Sequence, residues 1–227
     1  MKRLFLCTLL VFALAAPSHA ARYIAGQFNG WDAAGQMMDD LGGGMYQAVL
    51  NGLSEGRHEF KVTVGDWGTS WPMSGNSWLF ADFSGTVTIT YVESALDGQS
   101  PVANRIGVND NIAEWTAVGS WQGWDNANPA TQMIAQGGGV YSYQQVVAAG
   151  THYYKAVKTG SWDAIGADSR SINADNLEFI TDDTNNLVTF YLDADAGTVW
   201  VEVVPEPASI FALAAGVGGL LAFRRRL

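Results

Sequence analysis

An internal repeat is the feature that most constrains how this 227-residue chain can fold. Three motifs recur in the same order with nearly the same spacing, and the first pair is offset by 93 residues. The pairs are GQFNGWD (26–32) with GSWQGWD (119–125), GGGMY (42–46) with GGGVY (137–141), and GRHEFK (56–61) with GTHYYK (150–155). Such order does not arise by chance, so the chain holds two copies of one module. The predicted modules span residues 21–107 and 108–203.

Each copy reads as a series of short β-strands. In the first copy, residues 45–50, 58–64, 78–83 and 86–91 are rich in aromatic and β-branched residues and are separated by Gly, Asn and Asp clusters. In residues 58–64, apolar and polar side chains alternate. This pattern predicts that Phe60, Val62 and Val64 face a core, while Glu59, Lys61 and Thr63 point outward. The pattern predicts an all-β chain of two β-sandwiches, one per copy.

The N-terminus has the pattern of a secretory signal. Lys2 and Arg3 precede an apolar run, and Ser18-His19-Ala20 is a small-x-small cleavage site. Residues 1–20 are therefore predicted to form a signal helix that signal peptidase removes after Ala20. The one cysteine, Cys7, lies within this segment, so the exported chain is expected to have no disulfides.

The C-terminal residues 204–227 have an equally ordered pattern. Pro205, Glu206 and Pro207 precede a 16-residue apolar stretch, which Arg224, Arg225 and Arg226 follow. This order resembles the PEP-CTERM sorting signal of Gram-negative bacteria. The resemblance implies a short transmembrane helix in the inner membrane and an exosortase-like sorting protease that cuts near Pro-Glu-Pro. It also implies a final location at the cell surface or in the extracellular matrix. A plain single-pass anchor is the alternative.

The distribution of charge narrows the class of partner. The net charge is −10, and five of the 12 basic residues are Lys2, Arg3 and the three terminal arginines. The part of the chain between these ends contains the other seven basic residues and 21 of the 22 acidic residues; the remaining acidic residue, Glu206, lies in the C-terminal segment. A protein this acidic repels nucleic acid and anionic lipid. A neutral partner, such as an uncharged polysaccharide, remains compatible with its charge.

The repeated motifs also resemble a known family. Phe28-Asn29-Gly30-Trp31, the triple-glycine turns and the aromatic-Lys strands are similar to early-set immunoglobulin-like modules that bind starch and glycogen. Relatives include the glycogen-binding domain of the AMP-activated kinase β subunit and the starch-associated domains of pullulanases. This resemblance implies an immunoglobulin-like topology for each sandwich and a carbohydrate site in each copy.

The resemblance assigns equivalent site residues to each copy. They are Trp31, Lys61 and Trp67 in the first copy and Trp124, Lys155 and Trp162 in the second. An indole packs against the apolar face of a glucose ring, and a lysine donates to its hydroxyls, so these residue types suit an α-glucan. The alternative is that Trp31 and Trp124 only seal the edge of a core.

Other chemistries have weaker support. His58 and His152 occupy the same repeat position, which favours a structural role, and no carboxylate pair stands out, so an enzyme is not expected. No cofactor or metal is predicted. Asp182, Asp183, Asp193 and Asp195 could ligate calcium, although turn formation explains them more simply. The competing function is that of a structural matrix or biofilm protein without a specific sugar site.

Overall fold

The computed structural model describes residues 20–94 and 102–205, and this part of the chain is built from β-strands. Its first half contains β1 (Tyr23–Gly26), β2 (Gln36–Met37), β3 (Asp39–Gly42), β4 (Met45–Leu50), β5 (Gly56–Thr63), β6 (Ser70–Trp71), β7 (Ser77–Ala81), β8 (Val87–Val92) and β9 (Arg105–Asn109). Its second half contains β10 (Trp115–Gly119), β11 (Ile134–Gly137), β12 (Val140–Val146), β13 (Gly150–Lys158), β14 (Asp163–Gly166), β15 (Ser169–Ile172), β16 (Leu177–Thr181), β17 (Asn185–Asp193) and β18 (Thr198–Pro205). Three 3₁₀ turns interrupt them, at Gln27–Asn29, Ser120–Gln122 and Pro129–Thr131.

The strands form four antiparallel sheets, two from each half. Sheet A has the order β2-β1-β5-β6 with β7 also paired to β5, and sheet B has the order β3-β4-β8-β9. Sheet C has the order β10-β13-β14-β15 with β16 also paired to β13, and sheet D has the order β11-β12-β17-β18. The two halves therefore repeat one another in strand pairing as well as in sequence.

Two large apolar clusters fill the spaces between sheets. Alternate residues of β4, Tyr46, Ala48 and Leu50, are buried with Phe60 and other side chains of sheets A and B. The second cluster takes its side chains from sheets C and D, and it also includes Trp78 from β7 of sheet A. Burying apolar surface of this kind supplies most of the stability of a β-protein without disulfides.

The halves meet through contacts that link all four sheets. Strand β7 lies against β15, and Trp78 donates its indole N–H to the Ala164 carbonyl over 3.1 Å. On the other side, Gly107 of β9 packs so closely on the carbonyl of Asp195 that a Cβ there would overlap it. Sheet A thus contacts sheet C, and sheet B contacts sheet D, which joins the four sheets into one ring.

The predicted arrangement of the strands into two separate sandwiches is therefore wrong, although the chain is all-β in the described residues. An all-β chain of two tandem immunoglobulin-like sandwiches, each enclosing its own core, was the expectation. The four sheets are instead arranged in a ring like the blades of a four-bladed β-propeller. The physical reason is that the outer face of sheet A is not solvated, since Trp78 on that face is fully buried among second-half residues.

The predicted terminal helices fall outside the described residues. All of the predicted signal segment 1–20 except Ala20 lies outside the described residues, as does the apolar stretch with its arginines. Within residues 20–94 and 102–205, the helical elements are the three short 3₁₀ turns, and no helix there is long and apolar enough to cross a membrane. Of the Pro-Glu-Pro motif, the structure describes Pro205, which ends β18 opposite Asn185.

The strand positions read from the sequence agree closely with β4, β5, β7 and β8. Within β5, Phe60 and Val62 are buried as predicted. Val64, which follows the end of β5, is only half-buried. Thr63, which was predicted to point outward, is fully buried. Its hydroxyl donates to the carbonyl of Ala33, in the loop that follows β1. A threonine can occupy such a position because the hydrogen bond offsets the cost of burying its hydroxyl.

Candidate functional site

A tight turn after β10 presents Trp124, the first predicted site residue of the second half. The 3₁₀ turn ends at Gly123 with φ of 76°, and Trp124 follows with φ of 62°, which is unusual for a bulky residue. The Trp124 amide donates to the Gly119 carbonyl over 3.1 Å, and this bond holds the turn. The indole is half-buried against Val118, Val157 and neighbouring small residues on the outer face of sheet C.

Lys155 lies between two tryptophans. On β13 it pairs with Val118 of β10, and its Nζ is 5.8 Å from the ring centroid of Trp124 and 5.8 Å from that of Trp162. Both distances are within the range of a cation–π contact. Its Nζ also donates to the Ala174 carbonyl over 3.1 Å. Trp162 keeps 47% of its surface exposed, so one indole of this cluster is available to a ligand.

The surroundings of Lys155 affect its protonation. Burial lowers its pKa below the ordinary value, because the charged form loses hydration. The nearby carboxylates of Asp168 and Asp175 oppose this shift without reversing it. One hydrogen-bond donor of the Lys155 ammonium is already directed to the Ala174 carbonyl.

The position of Trp162 depends on the first half. Its neighbour Asp163 accepts hydrogen bonds from Arg57 Nε and from a terminal nitrogen, at 2.7–2.9 Å. Arg57 also contacts Glu59, and Glu59 accepts a hydrogen bond from Asn76. The hydrogen bonds to Asp163 are the largest cause that raises the pKa of Arg57. Arg57 thereby fixes the start of β14 beside the exposed indole.

The first half has a similar but looser group. Trp31 has φ of 63° and its amide donates to the Gly26 carbonyl over 2.9 Å, as in the second half. Its ring centroid is 6.4 Å from that of Trp67, with 46° between the planes. Lys61 donates to the carbonyl of Pro72, and burial lowers its pKa.

The structure thus places the predicted site residues differently in the two halves. In the second half the lysine and both tryptophans share one cluster. In the first half the two tryptophans contact each other, and the lysine reaches toward the loop after β6. Trp67 and Trp162 are the most exposed tryptophans of the two groups, at 51% and 47%.

Two of the four aspartates that could ligate calcium, Asp182 and Asp193, accept hydrogen bonds within turns. Asp182 accepts from the amides of Thr184 and Asn185, and Asp193 accepts from the amide of Ala196. Over residues 20–94 and 102–205, no group of three or more acidic, His or Cys side chains is placed to hold a metal ion.

Sequence reasoning missed the role of Arg57. A signal was present, because the repeat conserves the flanking glycine and histidine but has Thr151 where the first copy has Arg57. A position that differs between otherwise matching copies is a candidate for a contact that only one copy makes.

Comparison with known proteins bears on the second half. Residues 114–199 match the family model described as the pullulanase X25 domain. Among solved structures, the pullulanase from Bacillus acidopullulyticus is 12% identical, with a TM-score of 0.31, over 82% of this chain and 28% of that one. The chain thus spans less than a third of the length of that protein. No curated protein sequence matches the chain significantly. The segment that carries Trp124, Lys155 and Trp162 is therefore similar to a pullulanase X25 domain.

Proposed function

We propose that this chain is an exported, non-catalytic surface protein that binds a neutral, α-glucan-like polysaccharide. The observation that carries the proposal is the cluster in which Lys155 lies 5.8 Å from both Trp124 and Trp162. The match of residues 114–199 to a domain of pullulanase, an enzyme named for a glucan, supports the same ligand class.

The cluster offers both kinds of contact that a sugar ring needs. The exposed indole of Trp162 presents a flat apolar surface that packs against the C–H face of a glucose ring. The Lys155 ammonium has three donors, and one is used by Ala174, so two remain for ring hydroxyls or water. Binding of this kind involves no proton transfer, which is consistent with a non-catalytic role.

The charge of the protein favours a neutral ligand. The net charge is −10, and Asp168 and Asp175 are close enough to Lys155 to affect its pKa. Anionic polysaccharides would be repelled by this field, whereas an uncharged glucan would not.

The Trp31, Lys61 and Trp67 group is proposed as a second, weaker platform. Its exposed Trp67 resembles Trp162 in accessibility. Its lysine, however, is directed to the Pro72 carbonyl instead of lying over an indole.

Export is part of the proposal. Signal peptidase would remove residues 1–20, and an exosortase-like protease would recognise Pro205-Glu206-Pro207 with the terminal arginines. Cell fractionation of a Gram-negative host that expresses the chain tests this, with a variant lacking Arg224, Arg225 and Arg226 as the comparison. We expect the intact chain in the surface fraction and the variant in the inner membrane. Equal distribution of the two would contradict the sorting proposal.

Affinity electrophoresis in gels that contain glycogen or amylopectin tests glucan binding. Trp162→Ala should weaken binding at least about tenfold, since burying one large side chain contributes ~1.5–3 kcal/mol. Trp200→Ala is the matched control, because Trp200 is also partly exposed but stacks on Tyr191 of sheet D. Unretarded migration of the wild-type protein in every glucan would reject the proposed function.

A further inference from the structure

A groove of about 430 Å³ lies where the two halves meet. Its first-half wall is formed by the loop from Trp71 to Gly75 together with Ala103 and Asn104. Its second-half wall is formed by Asp168, Asp175 and the residues from Ser171 to Asn173. Neither repeat alone contains this groove, because each supplies only one wall.

The groove lies between the two tryptophan–lysine groups. On one side, Lys61 donates to the carbonyl of Pro72, which is a groove residue. On the other side, Lys155 donates to the carbonyl of Ala174, whose two neighbours in sequence, Asn173 and Asp175, line the groove. Each lysine therefore reaches to an edge of the same groove.

A second path connects the groups along β5. Arg57 bonds to Asp163, beside Trp162, and Arg57, Glu59 and Lys61 lie on one face of this strand. The four-residue interval between Arg57 and Lys61 corresponds to about 14 Å of strand. The two groups are thus separated by a short distance along one surface.

The groove walls are held in place by hydrogen bonds. The amide of Ile172, in the second-half wall, donates over 2.8 Å to the carbonyl of Asn76, the residue that follows the first-half wall loop. Asp168 accepts from the Asp175 amide over 2.7 Å and from the Ser171 hydroxyl over 3.0 Å. A groove preorganised in this way loses little conformational entropy when a ligand enters.

The lining suits a hydroxyl-rich, uncharged chain. Trp71, Pro72 and Met73 provide apolar surface, whereas Asn173, Asp168 and Asp175 provide amide and carboxylate groups. Sugar hydroxyls donate to such oxygens, and sugar C–H faces pack on the apolar wall. Two carboxylates without a basic residue in the lining disfavour an anionic ligand.

We propose that this groove binds the middle of a single neutral polysaccharide chain, whose ends occupy the Trp124–Lys155–Trp162 and Trp31–Lys61–Trp67 groups. This inference rests on the proposed function, and it makes the two halves one composite site. The ligand class is a linear glucan long enough to cross the groove.

Isothermal titration with maltooligosaccharides of increasing length tests the composite site. Short chains should bind weakly to the second-half group, and chains long enough to span the groove should bind with one chain per protein. Their affinity should exceed that of short chains by roughly a hundredfold, as expected when linked sites engage one ligand. Two long chains per protein with the affinity of short ones would overturn the inference while leaving the proposed function intact. Absence of binding at every length would overturn both.

A substitution in the groove tests whether long glucan chains bind more tightly because they cross the groove or only because they are longer. Met73→Arg places a guanidinium beside Asp168 and Asp175, and Met73 is 90% exposed, so the fold should tolerate the change. We expect at least about a tenfold loss of affinity for long chains and no change for short ones. Met37→Arg, at an exposed position of β2 away from the groove, is the charge-matched control. Equal behaviour of the two variants toward long chains would refute a role for the groove.

Discussion

The ion pair between Asp110, which directly follows β9 of sheet B, and Arg170 on β15 of sheet C connects these two sheets in the protein interior. Arg170 Nη1 donates to Asp110 Oδ2 over 2.7 Å, and both side chains are almost fully buried. The guanidinium carbon lies 4.4 Å from the ring centroid of Trp78. Asp110 also accepts from the Phe80 amide over 3.1 Å, so it compensates a backbone donor as well as a charge.

Asp110→Ala should therefore destabilise the protein strongly. Removing one partner of a buried ion pair leaves an uncompensated charge and lowers the free energy of unfolding by about 3–5 kcal/mol. For a chain of this size, 1 kcal/mol corresponds to ~2–4 °C, so the melting temperature should fall by about 6–20 °C. Replacing both partners, as Asp110→Ala with Arg170→Met, should recover part of this loss because no charge remains unpaired.

Urea unfolding followed by tryptophan fluorescence and by circular dichroism measures these effects. Both probes should report one transition, since Trp78 and Arg170 tie the halves together. A loss of less than about 1 kcal/mol for Asp110→Ala, or a double variant no more stable than Asp110→Ala, would contradict a stabilising role of this ion pair. Asp110→Asn is a useful control, because it removes the charge but keeps an acceptor for the Phe80 amide.

Three further predictions follow from the site and the contacts between halves. Gly107→Ala should destabilise the protein by about 1–3 kcal/mol in the same urea assay, because the added Cβ overlaps the carbonyl of Asp195. Arg57→Ala should weaken glucan binding in affinity gels, because Asp163 loses the partner that fixes the adjacent loop; unchanged retardation would exclude this positioning role. Glucan affinity should fall as pH rises through the lowered pKa of Lys155, because only the ammonium form carries a positive charge and all three donors. In titrations at increasing pH, Lys155→Met should abolish this dependence.

Much of the local structure could be read from the sequence. The repeat predicted that both halves would share one strand pairing, and alternation located β4, β5, β7 and β8 closely. The family resemblance selected Trp124, Lys155 and Trp162, which the structure gathers into one cluster. These features depend on backbone periodicity and turn chemistry, which act over a few residues.

The sequence could not show which sheet faces are covered. Trp78 pairs with Glu59 on β5, and the equivalent residue in the second half, paired with Tyr153 on β13, is Glu178. Trp78 is fully buried by the other half, whereas Glu178 is exposed. The alternation of side chains along a strand assigns both residues to the same outer face, but it does not show whether another part of the chain packs on that face.

The repeat by itself thus determined that this protein consists of two like sets of strands, each with a tryptophan turn and a strand lysine. Only the tertiary structure decided that the four sheets close into a ring, that Arg57 supports the loop of the other half, and that a groove joins the two tryptophan groups. The physical reason is one of range. Strand periodicity and turns are encoded by neighbouring residues, whereas the burial of Trp78 and the pairing of Asp110 with Arg170 depend on residues that meet only when the whole chain has packed.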